Sequence, residues 1–594
     1  MGKKWEYQSK EGIFTIHRNY NERKIFRINY ANNFEHSFFR CLNFYSTLLR
    51  FYSYSTEIFD RKSTIKYSKY FVNQNNKIKR HLISNTEVLK ELSLFFKYNN
   101  GFIRNNNEEK RKTLSNKLID IINKIKSKMK TNVISSSRET NDYNKIVVCS
   151  SFRRLQDKAQ VYSLEESDYP RTRLTHSIEV AGTAKKIAHS IKLYGNYLNI
   201  KMEKILESAC LIHDVGNPPF GHYGEKVIRN YFKNNWDKLL VNSSIEKNSD
   251  DIKEISKIIN KESNLYLDFI YFDGNAQSLR VMSKLQEYKN NSHLELLFSI
   301  LGSIIKYPVC SSNVKDREKP KIGYFYSEED IIEKMRAVKV FSDNYRNPLS
   351  LIVEAADDIS YITSDLDDAI KKKIITYEIF DKEILKYNGK EKSLLKKFNN
   401  NFLKYYKKNK KNSDDAFYYT MKFMLIELKE KAIKEVVNLF NDNYHLIFNQ
   451  GIDYLHNQHY EILEFSDSIY GKLLHLLKKN LIIKYVFPDS NVIIKELKGE
   501  KIINFLLNEF VNSVLLLKIN KNDTIDMILD RNCKLEKECR LFNLISKNYF
   551  NVFIAEYSLA RSNQERVYYK LRFVVDYISG MTDTYSNDLY IKLN

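Results

Sequence analysis

Residues that break helices are scarce in this chain. Only 16 Gly and 7 Pro occur in 594 residues, and long segments repeat apolar side chains at helical spacing. Leu, Ile, Lys, Glu and Asn dominate those segments, and few of them interrupt a helix. The pattern predicts an all-α fold, with helical stretches at Thr86–Phe96 and Thr113–Met129, a loop-like segment at Thr131–Asn144 and a final helix around Val567–Ile578. The length is sufficient for several domains or for one enlarged helical unit.

The chain carries an excess of positive charge. Lys and Arg number 96 against 73 Asp and Glu, which gives a formal net charge of +23. Such an excess favours a polyanionic partner, either nucleotide phosphates or nucleic acid. A general bias toward Lys, Asn, Ile and Tyr explains it at least as well, because these residues are spread along the whole chain. The most concentrated basic segment is Lys396–Lys411, KKFNNNFLKYYKKNKK.

Cysteine usage and hydropathy indicate the compartment. The six Cys residues are scattered without a CxxC pair, so neither a disulfide framework nor a Cys-based zinc site is expected. The first residues lack the apolar stretch of a signal peptide, and no run reaches the roughly 18 apolar residues that span a membrane. We therefore expect a cytoplasmic protein that does not associate with membranes.

A His-Asp pair closes an apolar helical segment. His213 and Asp214 end KILESACLIHD, and the following VGNPPFGH contains Gly216 and two prolines that stop the helix. At a helix end the backbone can direct both side chains toward one ion. Imidazole nitrogen and carboxylate oxygen together suit Mn²⁺, Fe²⁺, Zn²⁺ or Mg²⁺. Taken alone, the pair is more simply explained as a terminal histidine beside a solvated aspartate.

Two other segments contain candidate ligands. In RTRLTHSIEVAGTAKK, Thr175 is a candidate N-cap, and His176 lies in the first helical turn, where it can reach a site. In SLIVEAADDISYITSDLDDAIKK, Asp357, Tyr361 and Asp365 share one helical face beside an apolar stripe. A buried, satisfied histidine and a solvated acidic face are the alternatives. The second does not account for a tyrosine in register between two acids.

An ordered series of motifs resembles a known family. The segments are FRRLQDKAQVYSL, RTRLTHSIEVA, HDVGNPPFGHYGE, FDGNAQSLR, KYP, KIGYFYSEE, EAADDISYITSDLDDA and DYISGMTDTY. In this order, from about Ile146 to Tyr585, they are similar to the bacterial dGTP triphosphohydrolases of the HD superfamily. Those enzymes are related to the animal SAM-and-HD-domain dNTP triphosphohydrolase. The resemblance implies an all-α HD-domain fold with N- and C-terminal helical extensions. It also implies hydrolysis of a dNTP, dGTP above all, to a deoxynucleoside and triphosphate.

The resemblance also implies domains and residue roles. Residues 1–130 would form an N-terminal extension of unknown role, 131–380 the HD catalytic core, and 381–594 a C-terminal helical region that completes the active site. A divalent ion, Mn²⁺ or Mg²⁺, would be held by His176, His213, Asp214 and Asp357. His222 would be the catalytic histidine, oriented by Glu225. The substrate-binding residues would be Arg173, Lys306, Tyr307, Lys321 and Tyr361 at the triphosphate, Gln160 and Asp365 at the sugar 3′-hydroxyl, Arg572 at the nucleotide pocket, and Asn275.

Partners and rival functions follow from the same reasoning. The family is linked to single-stranded DNA and usually forms hexamers, so a homo-oligomer, a hexamer above all, and a DNA partner are implied. One alternative function is another HD phosphohydrolase, although it gives no reason for Gln160, Tyr361 and Asp365 to occur together. The other is a nucleic-acid-binding protein in which the HD site is regulatory, as the net charge and Lys396–Lys411 suggest.

Overall fold

The computed structural model divides the chain into two compact units. The first comprises residues 1–141, 188–204 and 440–451, and the second comprises 142–187, 205–439 and 452–594. The residues described are 4–9, 12–18, 24–28, 135–161, 171–191, 196–242, 261–286, 294–314, 317, 320–338, 340, 346–408, 413–443, 447, 461–464 and 468–594. The helical stretches expected at Thr86–Phe96 and Thr113–Met129 lie outside them.

Three strands in the first unit form an antiparallel sheet of order β1-β2-β3. They are β1 Lys4–Ser9, β2 Gly12–Arg18 and β3 Lys24–Ile28. Trp5 lies opposite Ile16, which in turn lies opposite Phe26. The segments KWEYQS and GIFTIHR are rich in aromatic and β-branched residues, which favour strands. The few Gly and Pro residues of the whole chain do not reveal a sheet of three short strands. The sheet adds to a fold that is otherwise helical in the described residues.

The second unit is built from helices, as the sequence predicts. A chain of this composition buries one face of each helix and leaves its Lys and Asn residues in solvent. In chain order the helices of the described residues are α1 Ser135–Val148, α2 Ser150–Arg154, α3 Arg173–Ser190, α4 Asn196–Ile212, α5 Gly221–Asn242, α6 Asn264–Ile270, α7 Gly274–Arg280, α8 Phe298–Ile304, α9 Glu329–Ala337, α10 Pro348–Lys371, α11 Tyr377–Phe380, α12 Lys392–Lys408, α13 Ser413–Asp442, α14 Ile469–Leu477, α15 Ser490–Leu516, α16 Ile525–Arg531, α17 Glu536–Asn543, α18 Lys547–Leu559, α19 Asn563–Ser579 and α20 Asp583–Leu593. Residues 135–141, 188–190, 196–204 and 440–442 of these helices belong to the first unit.

Short segments of tighter or wider helix connect several of these elements. Among the described residues four are 3₁₀ turns and three are π-helical, and each π segment continues directly from the helix before it. The 3₁₀ turns are Leu155–Asp157, Ser311–Asn313, Tyr326–Glu328 and Ile462–Glu464, and the π segments are Val281–Leu285, Asp381–Leu385 and Lys478–Val486.

Two helix boundaries differ from the sequence prediction. The segment Thr131–Asn144 was expected to be a loop, yet α1 begins at Ser135. Tertiary contacts override its low helix propensity, because the buried Asp142 accepts a hydrogen bond from the Leu297 amide at 2.9 Å and Lys145 donates to the Leu294 carbonyl at 2.8 Å. At the other end, the helix expected around Val567–Ile578 is not the last one. The Thr582 hydroxyl accepts from the Tyr585 amide and starts α20.

The core of the second unit forms around α15. This helix packs against α5, α17, α19 and α20, and buries an apolar stripe that includes Leu506, Leu507 and Phe510. The C-terminal helices are thereby packed onto α5, which follows the His-Asp segment in sequence. None of the helices in the described part of the chain combines the length and the apolar character needed to cross a bilayer.

A buried ionic network also joins the C-terminal helices to this core. The Arg280 guanidinium, at the end of α7, contacts Glu328 at 2.8 Å, Glu556 at 2.9 Å and Asp576 at 2.7 Å. Burial disfavours the charged form of Arg280, but the three carboxylates outweigh it and raise the pKa of the guanidinium well above its usual range. A charge paired on several sides is the condition under which burial is tolerated.

Candidate active site

Three predicted metal ligands from separate helices converge. His176 is the fourth residue of α3, His213 follows the last residue of α4, and Asp357 lies in the middle of α10. The Asp357 Oδ1 atom lies 3.0 Å from Nε2 of His176 and 3.6 Å from Nε2 of His213. One ligand atom from each residue lies within 4.8 Å of the others, which is a spacing that allows coordination of one ion.

Asp214, the fourth predicted ligand, lies beside this group with both oxygens already hydrogen-bonded. Its Oδ1 lies 3.6 Å from the His213 Nε2 and accepts a hydrogen bond from the side-chain nitrogen Nδ2 of Asn217 at 2.6 Å. Its Oδ2 accepts from the Arg173 guanidinium at 2.6 Å. Burial opposes ionisation, but Arg173 and the two histidines lower the pKa of Asp214 far below its usual value. Asp214 is therefore an anion. If its Oδ1 bound a metal ion, the same oxygen would also accept the hydrogen bond from Asn217.

The donor set fits a divalent cation. The His213 Nδ1 lies 2.7 Å from the Cys210 carbonyl oxygen, which only accepts, so Nδ1 carries the proton. The lone pair of Nε2 then faces Asp357, and this buried atom has no hydrogen-bond partner among the described residues. A backbone carbonyl that fixes the tautomer of a ligating histidine is the usual arrangement in metal sites. Asp357 is also anionic: burial raises its pKa, but Lys306 and His213 lower it well below the usual value.

The start of α3 corrects one detail of the sequence prediction. Thr175 was the expected N-cap, but the helix already begins at Arg173. Thr172 and Thr175 exchange hydrogen bonds, each hydroxyl accepting from the other residue's amide, at 3.3 and 3.1 Å. This reciprocal arrangement resembles a capping box, with a Thr taking the place of the usual acid. His176 remains in the first turn, as predicted.

His222, the second residue of α5, is exposed and lies beside a buried acid. The imidazole side chain is 82% exposed, and its Nδ1 lies 3.3 Å from the Glu225 Oε1. Glu225 also accepts from the Gly274 amide at 3.2 Å and from Arg229 at 3.3 Å. Burial raises the pKa of Glu225, but His222 and Arg229 lower it by more, so that the net shift is downward. The carboxylate is therefore charged and can only accept hydrogen bonds. The His222 Nδ1 therefore donates, which leaves Nε2 as a proton acceptor.

The loop before His222 adopts an unusual backbone conformation. Phe220 has φ of 61° and Gly221 has φ of 57°, two consecutive left-handed residues. A bulky residue at such a φ is rare, and the strain costs on the order of 1–3 kcal/mol. The left-handed φ favours a glycine at position 221, and a Cβ atom there would also force the Arg173 guanidinium to shift.

Two lysines approach the face of α10 that carries Asp357 and Tyr361, and a third lies near Tyr307. The Lys306 Nζ lies 3.3 Å from the Asp357 Oδ2, and this ion pair outweighs burial and raises the pKa of Lys306 well above its usual value. The Lys478 Nζ lies 5.1 Å from the centre of the Tyr361 ring. The Lys321 Nζ lies 5.9 Å from the centre of the Tyr307 ring.

Comparison with known proteins identifies the family. Residues 173–295 match the HD domain, a stretch that contains His176, His213 and Asp214 but ends before Asp357. The chain is 34% identical over 475 residues to a deoxyguanosinetriphosphate triphosphohydrolase-like protein of Listeria innocua, covering 76% of this chain and 93% of that protein. It is 32% identical over 492 residues to the deoxyguanosinetriphosphate triphosphohydrolase of an Enterobacter species, covering 76% and 92%. The chain belongs to the deoxyguanosinetriphosphate triphosphohydrolase family.

Membership of this family agrees with the resemblance in the motifs and makes the chain a hydrolase with an HD domain. HD domains depend on a divalent metal, and the His176, His213 and Asp357 group is a possible site for one.

The two residues that the family resemblance assigns to the sugar have unpaired buried atoms. The Gln160 Oε1 and the Asp365 Oδ2 are both buried, and neither has a hydrogen-bond partner in the described part of the chain. Burial and the nearby Asp368 raise the pKa of Asp365 well above its usual value, which favours the neutral acid. Buried polar atoms are nearly always paired, so these two are suited to pair with a ligand.

Two other predicted substrate residues make contacts inside the protein. The amide and the side-chain nitrogen of Asn275 both donate to Asp273 Oδ1, at 2.9 and 2.8 Å, where Asp273 is the N-cap of α7. Arg572 is fully buried, with its guanidinium 3.7 Å from the centre of the Phe325 ring and hydrogen-bonded to Gln277. Their expected roles toward substrate stay predictions.

Sequence reasoning missed Lys478 and Asn217. Lys478 lies in no motif and approaches Tyr361 only because the π segment Lys478–Val486 packs against α10. Asn217 does lie within HDVGNPPFGH. Its position three residues after Asp214 in a Gly- and Pro-rich turn is a signal that it could hold that carboxylate.

Proposed function

We propose that the chain hydrolyses deoxynucleoside triphosphates, with dGTP preferred, and releases a deoxynucleoside and inorganic triphosphate. The observation that carries the proposal is the group formed by His176, His213 and Asp357, which lies beside Lys306. The chain that contains this group aligns with deoxyguanosinetriphosphate triphosphohydrolases over most of the length of those proteins. Such a site combines ligands for a cation with fixed positive charge for a polyphosphate.

We propose Mn²⁺ or Mg²⁺ as the cation, held by His176, His213, Asp357 and Asp214. A divalent cation supplies Lewis-acid polarisation of a phosphoryl oxygen and lowers the pKa of water. The two histidines present nitrogen, and Asp357 presents an anionic oxygen 3.0 Å from one of them. Asp214 is oriented by Asn217 and Arg173, which hold its carboxylate beside His213.

His222 is suited to transfer a proton at the α-phosphorus. With Nδ1 donating to Glu225, its Nε2 accepts a proton from water or, once protonated, gives one to the leaving oxygen. The ionised Glu225 stabilises the imidazolium that forms and keeps the ring in one tautomer. The exposure of His222 leaves the imidazole accessible to a substrate that enters from solvent.

The triphosphate would be bound by cations on three sides. Arg173 has its Nη1 on Asp214, while its buried Nε has no partner among the described residues and can donate to phosphate. Lys306 lies on one side of Asp357, and Lys478 lies above Tyr361. Lys321 extends this charge toward Tyr307.

Gln160 and Asp365 would bind the sugar. A neutral Asp365 donates a hydrogen bond and the Gln160 amide oxygen accepts one, so together they match a hydroxyl group that both accepts and donates. A buried pocket of this kind rejects sugars that present a mismatched group, by up to ~10⁴-fold in favourable cases. We expect GTP to react far more slowly than dGTP.

The direct test is product analysis. The protein is incubated with each dNTP and with GTP in Mn²⁺ or Mg²⁺, and nucleoside, nucleoside monophosphate, triphosphate, pyrophosphate and orthophosphate are separated by chromatography. We expect nucleoside and triphosphate in equal amounts. His213→Ala should abolish turnover, while His475→Ala, which changes an exposed histidine of α14, should not. Release of monophosphate or orthophosphate instead would assign the chain to another class of HD phosphohydrolase.

Further properties of the proposed enzyme come from the same resemblance. We propose a cytoplasmic homo-oligomer, a hexamer above all, and single-stranded DNA as an additional partner. The aromatic residues of Lys396–Lys411 are already in contact with other rings: Tyr405 lies 4.6 Å from Phe423, and Tyr406 stacks on Tyr377 at 4.8 Å. These contacts leave less ring surface for stacking on bases and favour the alternative of a solvated basic helix.

A further inference from the structure

Two motif segments contain buried charged residues to which the reaction assigns no role. Lys158 lies in FRRLQDKAQVYSL and Asp583 in DYISGMTDTY, and each side chain is almost fully buried, at 2% exposure. The backbone amide of Ala159 donates a hydrogen bond to the Asp583 carboxylate across 424 residues of sequence. Burial of a Lys and an Asp costs free energy of folding unless hydrogen bonds and paired charges compensate for the lost water.

Lys158 contacts the backbone of the loop that follows the His-Asp pair. Its Nζ donates to the Asn217 carbonyl at 2.5 Å and to the Ser579 carbonyl, in the last turn of α19, at 2.9 Å. Burial lowers the pKa of Lys158 to about 7, an effect that Asp583 partly opposes. Burying the Lys158 amino group therefore has an energetic cost, which an apolar side chain of similar length would avoid.

Asp583 holds the same loop two residues before His222. Its Oδ1 accepts from the Phe220 amide at 2.9 Å, and its Oδ2 accepts from the Ala159 amide at 3.1 Å. One carboxylate therefore connects the left-handed Phe220 with the segment that leads to Gln160. The Phe220 ring packs on Gly499 of α15, where a Cβ atom would collide with it.

We propose that Lys158 and Asp583 are positioning residues that hold the Asn217–Gly221 loop and thereby set where His222 stands relative to the metal ligands and Gln160. Together they fix a carbonyl and an amide of the loop, at residues 217 and 220, on either side of its two prolines. Without these anchors the left-handed pair at 220 and 221 relaxes toward commoner backbone angles, and His222 moves with it. The proposal rests on the proposed function in so far as His222 transfers the proton.

The first test is Asp583→Asn, with Asp588→Asn as the matched control on the exposed side of the same helix. The amide keeps one acceptor oxygen and replaces the other by a donor, which cannot accept from a backbone amide. We expect kcat to fall about 10- to 100-fold, as displacement of a reacting group by about 1 Å does. Bound metal should be unchanged, because it does not depend on His222. KM should change less than about threefold, because the Gln160 backbone amide also donates to the Arg171 carbonyl. A residue that only stabilises the fold would lower the melting temperature and leave kcat intact, and that result overturns the proposal.

The second test is a double-mutant cycle with His222→Ala. If Asp583 acts through His222, then Asp583→Asn lowers kcat in the wild type but has little further effect in the His222→Ala background. Equal effects in both backgrounds would contradict the proposal. Lys158→Met, which keeps the length of the stem and removes the donor, should repeat the pattern.

The third measurement does not depend on turnover. In hydrogen exchange read by mass spectrometry, peptides containing Phe220 and Ala159 should exchange faster in Asp583→Asn than in Asp588→Asn, at temperatures where both proteins are folded. Unchanged exchange in these peptides overturns the anchoring itself. Failure of the proposed function is seen separately, as absence of triphosphate release by the wild type from every dNTP.

Discussion

At the scale of single residues, the site depends on the protonation of His213. Burial disfavours the charged imidazolium, but Asp214 and Asp357 outweigh burial and raise the pKa of His213 above its usual value. A cation must bind the neutral ring, so below this pKa a proton competes with the metal. We predict that Mn²⁺ affinity falls by up to about tenfold for each pH unit below the His213 pKa, where one proton is released on binding.

Calorimetric titration with Mn²⁺ in buffers of different ionisation enthalpy counts the released protons. His475→Ala is the control for removal of an ionisable ring elsewhere in the same unit. An affinity that does not change between pH 5 and pH 8, with no proton released, would contradict the prediction.

Asp365 gives a second prediction at this scale. Burial raises the pKa of Asp365 and favours its neutral form. Asp365→Asn therefore preserves a neutral side chain of the same shape, while Asp365→Ala removes the proposed hydrogen bond to the sugar. We expect kcat/KM for dGTP to stay within about fivefold of the wild type in the Asn variant and to fall about 10- to 100-fold in the Ala variant, the effect of leaving a buried polar partner unpaired. Steady-state kinetics with dGTP and GTP measure this difference between the variants. Equal losses of kcat/KM in both variants would contradict a neutral Asp365.

The candidate metal ligands were accessible to sequence reasoning because each lies at a helix end or in register on a helix face. His176 in a first turn, His213 before a Gly-Pro break and Asp357 four residues from Tyr361 are all local patterns. Lys478 and Asp583 have no such pattern, because their relation to the site arises from the packing of α10 and α20 onto distant segments. Side-chain contacts of that range are set by tertiary structure and not by spacing.

At the scale of elements, Arg280 joins α7 to α18 and α19. Replacing it by Ala leaves the buried Glu328 without its ion pair, while Lys284 still contacts Glu556 and Arg572 still contacts Asp576. We predict a loss of about 3–5 kcal/mol in stability, typical for removal of one partner of a buried ion pair.

Urea unfolding followed by circular dichroism measures this loss. Arg540→Ala is the matched control, because Arg540 pairs with Glu536 on the surface of α17 and such exposed pairs contribute about 0–1 kcal/mol. Similar unfolding midpoints for the two variants would show that the network adds nothing to stability.

The basic helix α12 gives another prediction at this scale. Leu395, Phe398 and Phe402 are buried, so its lysines form a solvated face over an apolar one. We expect reversal of charge at Lys407, Lys408, Lys410 and Lys411 to leave single-stranded DNA binding and dNTP hydrolysis unchanged; the last two lysines lie outside the described residues.

Titration of a labelled oligonucleotide at several salt concentrations tests this expectation. If the segment contacts DNA, the wild type loses affinity with a log-log slope near −0.7 per phosphate, and the charge-reversed protein has a smaller slope. Loss of binding with normal hydrolysis would make the segment a nucleic-acid surface.

The elements themselves were predictable to different degrees. Helices with a strong apolar stripe, such as α10, follow from the spacing of apolar residues alone. The start of α1 does not, because SSSRETNDYN has poor helix propensity and is held by the hydrogen bonds of Asp142 and Lys145. The N-terminal sheet escaped notice because averages over the chain conceal three short strands.

At the scale of the whole molecule, the family resemblance predicts assembly. We expect a homohexamer with six times the 70.6 kDa mass of one chain. Light scattering coupled to size-exclusion chromatography at several concentrations measures this mass directly. A single species at the mass of one chain, fully active on dNTPs, would contradict both the hexamer and any need for it in the reaction.

The separation of the ligands along the chain has a consequence for biosynthesis. His176 and Asp357 are 181 residues apart, and the HD match ends at residue 295, well before the carboxylate. A nascent chain on the ribosome therefore exposes both histidines long before the acid that completes the group. At typical synthesis rates of about 5–20 residues per second, this interval lasts on the order of ten seconds or more. Loading of the correct ion must follow it, and an unfinished chain that escapes the ribosome cannot deplete the nucleotide pool.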